Sequence, residues 1–427
     1  MIGWCISILI SDWFRLVLTR EVDNDITGHR HETRVRYDVD YGADGQLLRV
    51  SVDADVNAGA VIDTSDIWTN TLLKRIDGGY TLSNFETNSS VLKTNLVSNT
   101  SYRGYGSPEG ILIIEDIMEK IALKLGVDPA VVREKNMSKK GDFPHYGTAP
   151  INEDFLGRCW SECLDQSNYH EMKKKVEQFN AENKYKKQGI SIVPMKFAPT
   201  IPVPFINQAS AYVRIYVDGS VLLSHGGVEM GQGLHTKMVQ VASRVLGVDM
   251  KKIHIIDTST EVIVNATPTG GSTGTDLNGK AVINACNKIV EVLDPLRKAF
   301  PDDTWEQTVS KAYFSRTQLS AYGFYNGSPL DYDWENDTGS LFNYYTFGVG
   351  CSLVELDCLT GDHEVLRTDI VMDVGQSLNP AIDVGQIEGA FVQVLSTNQS
   401  SVFIDQSQSC SGIRLHDDGG DGVRQEG

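Results

Sequence analysis

Residues 226–240 read GGVEMGQGLHTKMVQ, four glycines within eight positions followed at once by a helix pattern. Glycine allows a ligand to approach the main chain closely. A helix start carries unpaired N–H groups and a partial positive charge. An anion held by bare backbone is therefore the first expectation. The helix is expected to run through 246, with Leu234, Met238, Val241 and Val245 on one face and Gly247 as its stop. One such loop also serves as a plain tight turn, so the reading depends on recurrence.

The pattern recurs twice. TPTGGSTGTD (267–276) precedes a stretch in which Val282, Cys286, Ile289, Val290 and Leu293 fall at helical spacing, with Asp276 or Thr275 suited to its N-cap. Ser272, Thr273 and Thr275 add hydroxyl donors of the kind a phosphate monoester uses. YRGYGSPEG (102–110) opens onto a helix over 108–125, with Ile114, Ile117, Met118, Ile121 and Leu125 as its apolar stripe, and carries Arg103. Arginine is the usual bidentate partner of oxyanions. No loop fits the G-x-G-x-x-G dinucleotide fingerprint or the phosphate loop ending in GK[ST]. From the residues alone, the reading stops at an anionic ligand bound by loops and helix ends.

Composition narrows the partners. A formal charge of −18 opposes nucleic acid and anionic membrane surfaces, both of which need a positive footprint. The apolar opening MIGWCISILISDWFRLVLTR is interrupted by Asp12 and Arg15 before it reaches a bilayer span, and lacks the marks of a signal peptide. Seven unpatterned cysteines suit a reducing compartment. Cys159 and Cys163, four apart on a helix pattern, read as a buried core pair. In HRHE (29–32), His29 and His31 read as exposed histidines on one face of a strand. Asp302-Asp303 reads as the cap of a helix over TWEQTV.

Elsewhere, strands are expected around Gly45 and around the Asp218-Gly219 turn, with another hairpin at TGDH (360–363). Asp128-Pro129 starts a short helix, and 153–187 holds two more, the second with Tyr169, Met172, Val176 and Phe179 as its stripe. Residues 1–14 are unassigned. A first subdomain is expected over 15–150, a second over 151–393, and a disordered tail over 394–427.

Taken as words, GGVEMGQGLHTKMVQVASR, SNTSYRGYGSPEG, STGTDLNGKAV and LDCLTGDHEVLRTDIVMDVGQSLNPAIDVGQIEGAFVQ resemble the molybdenum-cofactor region of the xanthine dehydrogenase and aldehyde oxidase family. The resemblance runs from about Arg15 to Gln393 and implies a mixed α/β (α+β) fold. It implies a molybdenum–molybdopterin cofactor and water-dependent hydroxylation of aldehydes or N-heterocycles. In complete members, electrons leave through 2Fe-2S clusters and FAD to NAD or dioxygen. Carried over by position, Met230, Gly231 and Gln232 line the pterin. Ser272, Thr273, Gly274 and Thr275 take its phosphate end, and Gly270 and Gly271 lie near the metal. Arg103 orients and polarises substrate near molybdenum, and Tyr105 contacts the substrate ring. The resemblance implies no direct side-chain ligand to the metal, with Arg103 and Gly271 nearest to it. It also implies a cytoplasmic homodimer.

The departures matter as much. The family's general-base glutamate lies in a Gly-Glu-Pro-type segment downstream of EGAFVQ, and these 427 residues contain no such segment. The cysteine motifs for the clusters, the FAD region and the GGGFGG loop are also absent. Without the base, catalysis loses roughly 10²–10⁴-fold. The chain alone is thus expected to be inactive, as a fragment of a molybdenum-cofactor oxidoreductase; the alternatives are a non-catalytic molybdopterin-binding or dimerising protein, or a xanthine dehydrogenase fragment. Thr71 stands where xanthine dehydrogenases carry a purine-orienting arginine, with Lys74 and Arg75 close in sequence. Ile201 stands at their second ring-sandwiching phenylalanine. Both changes lean toward an aldehyde-oxidase-like pocket.

Overall fold

A computed structural model of the chain describes residues 18–147, 149–152, 155–256, 258–327, 331–396, 402–404 and 413–416. The opening segment 1–14 and most of the expected tail lie outside the described residues. Contacts divide the chain into two compact units, one of 1–77, 84–128 and 399–427, the other of 78–83 and 129–398. The architecture is mixed α/β in both.

The first unit begins with helix α1 (Arg20–Ile26), followed by strands β1 (Thr33–Gly42) and β2 (Leu47–Gly59). The alternation read around Gly45 puts Val35, Val39, Val50, Val52 and Val56 on one buried face, and Gly45 turns the hairpin at φ 82°. Helix α2 (Ser65–Arg75) crosses to strand β3 (Phe85–Lys93), which pairs parallel with β2. Helix α3 (Ser107–Leu125) covers the sheet with Ile113, Ile114, Ile117, Met118 and Ile121, all fully buried. Gly126 ends it in the left-handed conformation, its N–H bonded to Ala122 and Leu123 carbonyls.

The second unit holds two sheets. Helix α4 (Pro129–Asn136) leads to α5 (Leu156–Ser167) and α6 (Tyr169–Glu182). Helix α5 packs on a three-stranded antiparallel sheet of β4 (Lys186–Phe197) with two later strands, and Cys159, Trp160 and Cys163 fill the interface with Ile192. The cysteine pair is thus core. The second sheet contains β5 (Ala209–Ile215), β6 (Val221–His225), β7 (Ile253–Ile255) and β8 (Ser320–Tyr325), in the order β7-β6-β5-β8. Helices α7 (Leu234–Leu246) and α8 (Gly274–Ala299) bury Met238, Ala242, Val282, Cys286 and Ile289 with Val213 and Leu223 of this sheet. A Cβ at Gly323 of β8 would lie 2.1 Å from the Ala281 carbonyl oxygen, so the absent side chain is what lets α8 sit this close.

Helix α9 (Trp305–Phe314), strands β9 (Thr346–Asp357) and β10 (His363–Asp373), and helix α10 (Pro380–Ser396) complete this unit. Strands β9 and β10 form the hairpin expected at TGDH. Two short segments, β11 (Val402–Ile404) and β12 (Ile413–His416), each pair parallel with β1.

Three local expectations need correction. His31 is fully buried, stacked on Trp68 at 4.3 Å with Nε2 2.8 Å from Ser65 Oγ, while only His29 is exposed. Both precede β1 rather than lying in it. The cap of α9 is Thr304, which forms a capping box with Gln307, not Asp302 or Asp303. Helix α8 starts at Gly274 with Thr273 at the cap, earlier than the side-chain caps at Thr275 or Asp276 suggested.

Candidate functional site

In the second unit, the loops 226–233 and 267–273 leave the sheet and open α7 and α8. They are joined directly: the Val228 N–H donates to Thr269 Oγ1 at 3.0 Å. The Asn278 side chain donates to the Gly274 carbonyl at 2.9 Å, and a Cβ at Gly227 would meet both Leu234 and Asn278. The loops that carry Met230, Gly231 and Gln232 and residues 270–275 are therefore tied together at Val228 and Thr269.

The start of α7 is not open to an outside anion, which corrects the first expectation drawn from GGVEMGQG. Glu229 Oε1 accepts the N–H groups of Gly231 and Gly233, each at 2.9 Å, and Oε2 accepts that of His235 at 2.9 Å. Burial pushes this carboxyl up, but the three backbone N–H bonds overrule it and hold it below the usual glutamate value. Gln232 is folded onto the same loop, accepting from the Met230 N–H at 2.5 Å and donating to the Val228 carbonyl at 2.8 Å. Gly231 lies at φ 92° with nothing within 4 Å of a notional Cβ, and Met230 is 65% exposed. The loop thus offers open backbone and an apolar thioether. From α10, Gln386 Nε2 reaches the Gly231 carbonyl at 3.4 Å.

Helix α8 is different. Gly271 and Ser272 are both left-handed, at φ 61° and 60°, a conformation that favours glycine and strains serine. The Thr273 hydroxyl donates to the Gly270 carbonyl at 3.0 Å instead of capping the helix. Among the described residues, no protein acceptor meets the N–H groups of Gly274, Thr275 and Asp276 or the hydroxyls of Ser272 and Thr275. In the same turn, Asp276 accepts the Tyr344 hydroxyl at 2.9 Å, and burial raises its carboxyl toward the neutral form. This arrangement can take an oxyanion. Ile201 packs over Gly270 and Gly271, its Cδ1 3.6 Å from a Cβ built at Gly270.

In the first unit, Arg103 and Tyr105 share the turn before α3, which uses three successive left-handed residues, Gly104, Tyr105 and Gly106, at φ 97°, 43° and 84°. Arg103 is exposed, and its carbonyl accepts from Arg30 Nη2 at 2.6 Å. Arg30 also stacks 4.4 Å above the Tyr102 ring and lies 3.6 Å from the buried Glu109, whose carboxyl burial raises. The Tyr105 hydroxyl points to the Thr64 carbonyl at 3.4 Å, and burial raises its pKa. Thr71 is buried with its hydroxyl on the Ile67 carbonyl, and Arg75 is buried with Nη1 3.4 Å from Ser107 Oγ.

Sequence reading missed Glu229, the His225–His235 pair described below, and Gln386. The available signal was an acid and two histidines inside or beside the glycine-rich stretch itself.

Comparison with known proteins agrees with the words in the sequence. The molybdopterin cofactor-binding domain family matches in two parts, residues 4–137 and 162–398. A xanthine dehydrogenase/oxidase of Felis catus is 49% identical over 381 residues, covering 89% of this chain and 28% of the relative. An aldehyde oxidase 2 of Macaca fascicularis is 46% identical over 379 residues with the same coverage. The chain therefore spans about 28% of the length of these curated relatives. Among solved structures, the aldehyde oxidoreductase of Desulfovibrio gigas matches with a TM-score of 0.77 at 23% identity, covering 92% of this chain and 44% of the other. Quinoline 2-oxidoreductase of Pseudomonas putida gives 0.75 at 20% identity, covering 97% and 58%. These structural likenesses establish the fold. No helix among the described residues is long and apolar enough to cross a membrane.

Proposed function

Because the chain belongs to the molybdopterin cofactor-binding family, we propose that it forms the pterin-holding part of a molybdenum oxidoreductase that hydroxylates aldehydes or N-heterocycles. The observation that carries this reading is the open start of α8. Three N–H groups and two hydroxyls there have no protein partner among the described residues, beside a neighbouring loop whose Gly231 has open space in front of it. Those features fit a flat, anionic ligand.

In this reading, Gly274, Thr275 and Asp276 N–H groups with the Ser272 and Thr275 hydroxyls hold the phosphate end. Thr273 shapes the turn, Gly231 and Met230 face the pterin, and Gln232 keeps their loop in shape. Gly270 and Gly271 leave room at the metal end, and no side chain ligates the metal. When bound, the cofactor supplies oxidation of the substrate carbon with water as oxygen source. Arg103 orients and polarises the substrate, and Tyr105 contacts its ring. Ile201 over Gly270 and Gly271, and the absence of a guanidinium at Thr71, favour an aldehyde-type pocket over a purine one. Iron–sulfur clusters and FAD belong to the full-length relatives.

Expression of chain 1–427 in a cofactor-producing host tests the reading, with molybdenum measured by mass spectrometry and pterin by fluorescence. Near-stoichiometric pterin that is lost in Ser272→Ala/Thr275→Ala supports it. A folded chain without pterin overturns it. No oxidation of aldehyde or purine above background is expected, because the family's general-base segment is not among these residues. Turnover with a dye acceptor would contradict that. A cytoplasmic homodimer is part of the same proposal, and sedimentation of the purified chain checks the assembly.

A further inference from the structure

The last residue of β6, His225, is 1% exposed and meets His235, in the first turn of α7, through Nε2 and Nδ1 at 3.0 Å. The other nitrogen of His225, Nδ1, lies 3.1 Å from the Gly227 N–H. A backbone N–H can only donate, so His225 Nδ1 carries no proton, and the neutral ring must hold its proton on Nε2. That N–H then points at His235 Nδ1, which must accept. Neutral His235 is left with its own proton on Nε2, for which the described residues supply no partner.

Three further bonds anchor this pair in both loops. The His235 N–H is held by Glu229 Oε2, the Gly227 carbonyl accepts Thr258 Oγ1 at 2.8 Å, and Asn278 beside His225 bonds the Gly274 carbonyl. Burial keeps His225 neutral, lowering its pKa to about 4, with His235 lowering it further and Asn278 and Glu229 acting the other way.

We propose that His225 and His235 form a tautomer-locked pair: it positions the Met230–Gln232 loop and leaves His235 Nε2–H as a fixed donor for an acceptor on the ligand of that loop. The second half rests on the proposed function, while the lock itself is a property of the ligand-free chain. Both are positioning residues.

Nitrogen-15 NMR of the histidine-labelled full chain reads the tautomers directly. Nε2–H on both rings is expected at neutral pH, and Nδ1–H on His235 overturns the lock. Two variants separate its halves. Asparagine places an acceptor near the His225 Nδ1 position, so His225→Asn should keep the Gly227 amide protected while His235 samples both tautomers. Glutamine places a donor near the Nε2 position, so His225→Gln should keep the His235 tautomer while Gly227 amide exchange accelerates about tenfold. Identical His235 signals in both variants would refute the relay. If neither variant folds, the wild-type tautomers still decide. A pterin-loaded chain should shift the His235 Nε2 resonance. An unshifted resonance in loaded chain refutes the ligand-facing role, whereas a chain that carries no pterin counts against the functional reading and leaves the lock intact.

Discussion

Glu229→Gln is the most informative single change in the glycine-rich loop. The carboxylate bonds three N–H groups through two oxygens, with Gly231 and Gly233 on Oε1 and His235 on Oε2. Glutamine keeps one carbonyl oxygen, so at best it retains the two glycines and sets an NH₂ against the His235 N–H. Leaving that donor unmatched costs about 1–3 kcal/mol. Losing a negative charge at the start of a 13-residue helix adds roughly 0.3–1 kcal/mol. Because the loop is partly exposed, water recovers some of this, and about 2 kcal/mol is the expected loss in urea unfolding near neutral pH. The loss must also depend on pH. The folded carboxyl titrates below its unfolded value, so its stabilisation is present above the ordinary glutamate pKa and disappears as pH falls through the folded one. Wild type and Glu229→Gln should therefore converge as pH falls through the depressed range of the folded carboxyl. A difference under about 0.5 kcal/mol at neutral pH, or one unchanged in acid, would refute the claim that this carboxylate closes the helix start.

Three other outcomes follow from the geometry. His225 and His31 are both lowered to about 4 from 6.5, chiefly by burial, so the unfolded chain takes up their protons first. Stability is then full above pH 6.5 and falls toward pH 4, by about 3 kcal/mol for His225 alone; urea midpoints that stay flat across this range would contradict it. Gly231→Ala has room for its Cβ and should cost only about 1–2 kcal/mol for the backbone while displacing bound pterin. Gly271→Ala places its Cβ 2.5 Å from Ile201 Cγ1 and should lower the melting temperature as well; equal stability of the two variants would be inconsistent with these contacts. Burial raises the Cys163 and Cys286 thiols to about 12, so iodoacetamide should label exposed Cys358 and spare both in the native chain, as peptide mass spectrometry would show.

Periodicity made the helices and hairpins legible, because burial on one face follows local spacing: the Ile114–Ile121 stripe, the Met238 face of α7 and the TGDH hairpin all stand where the pattern put them. Long-range choices were not legible. His31 turns inward because Trp68 of α2 lies beside it, a contact between segments 37 positions apart in sequence that no strand period encodes. Thr304 took the cap of α9 because Gln307 completes a reciprocal pair with it. At α8, the rule that a side-chain oxygen caps a helix failed at Thr273, whose hydroxyl is spent on Gly270. The glycine loops raised the expectation of an anion site, but their spacing could not show that Glu229 occupies the start of α7 while the start of α8 has N–H groups with no acceptor among the described residues.

That distinction bears on selectivity. Two helix starts tied side by side through Val228 and Thr269 would otherwise offer two positive ends to the same ligand. Glu229 removes one by supplying the anion from within, and its charge discourages a second anion at the same loop. What remains at α7 is open backbone at Gly231 and the exposed Met230, suited to the flat and less charged part of a ligand. At α8, strain at Ser272 and a cap residue turned away accompany three N–H groups with no acceptor among the described residues. Unmet donors and a left-handed serine both cost stability, and such costs persist where the surrounding structure enforces them. Here Ile201 against Gly271 and the Gly270–Thr273 bonds enforce them. On the proposed reading, the pair of loops would orient a ligand by contrast, accepting its anionic end at α8 and refusing it at α7.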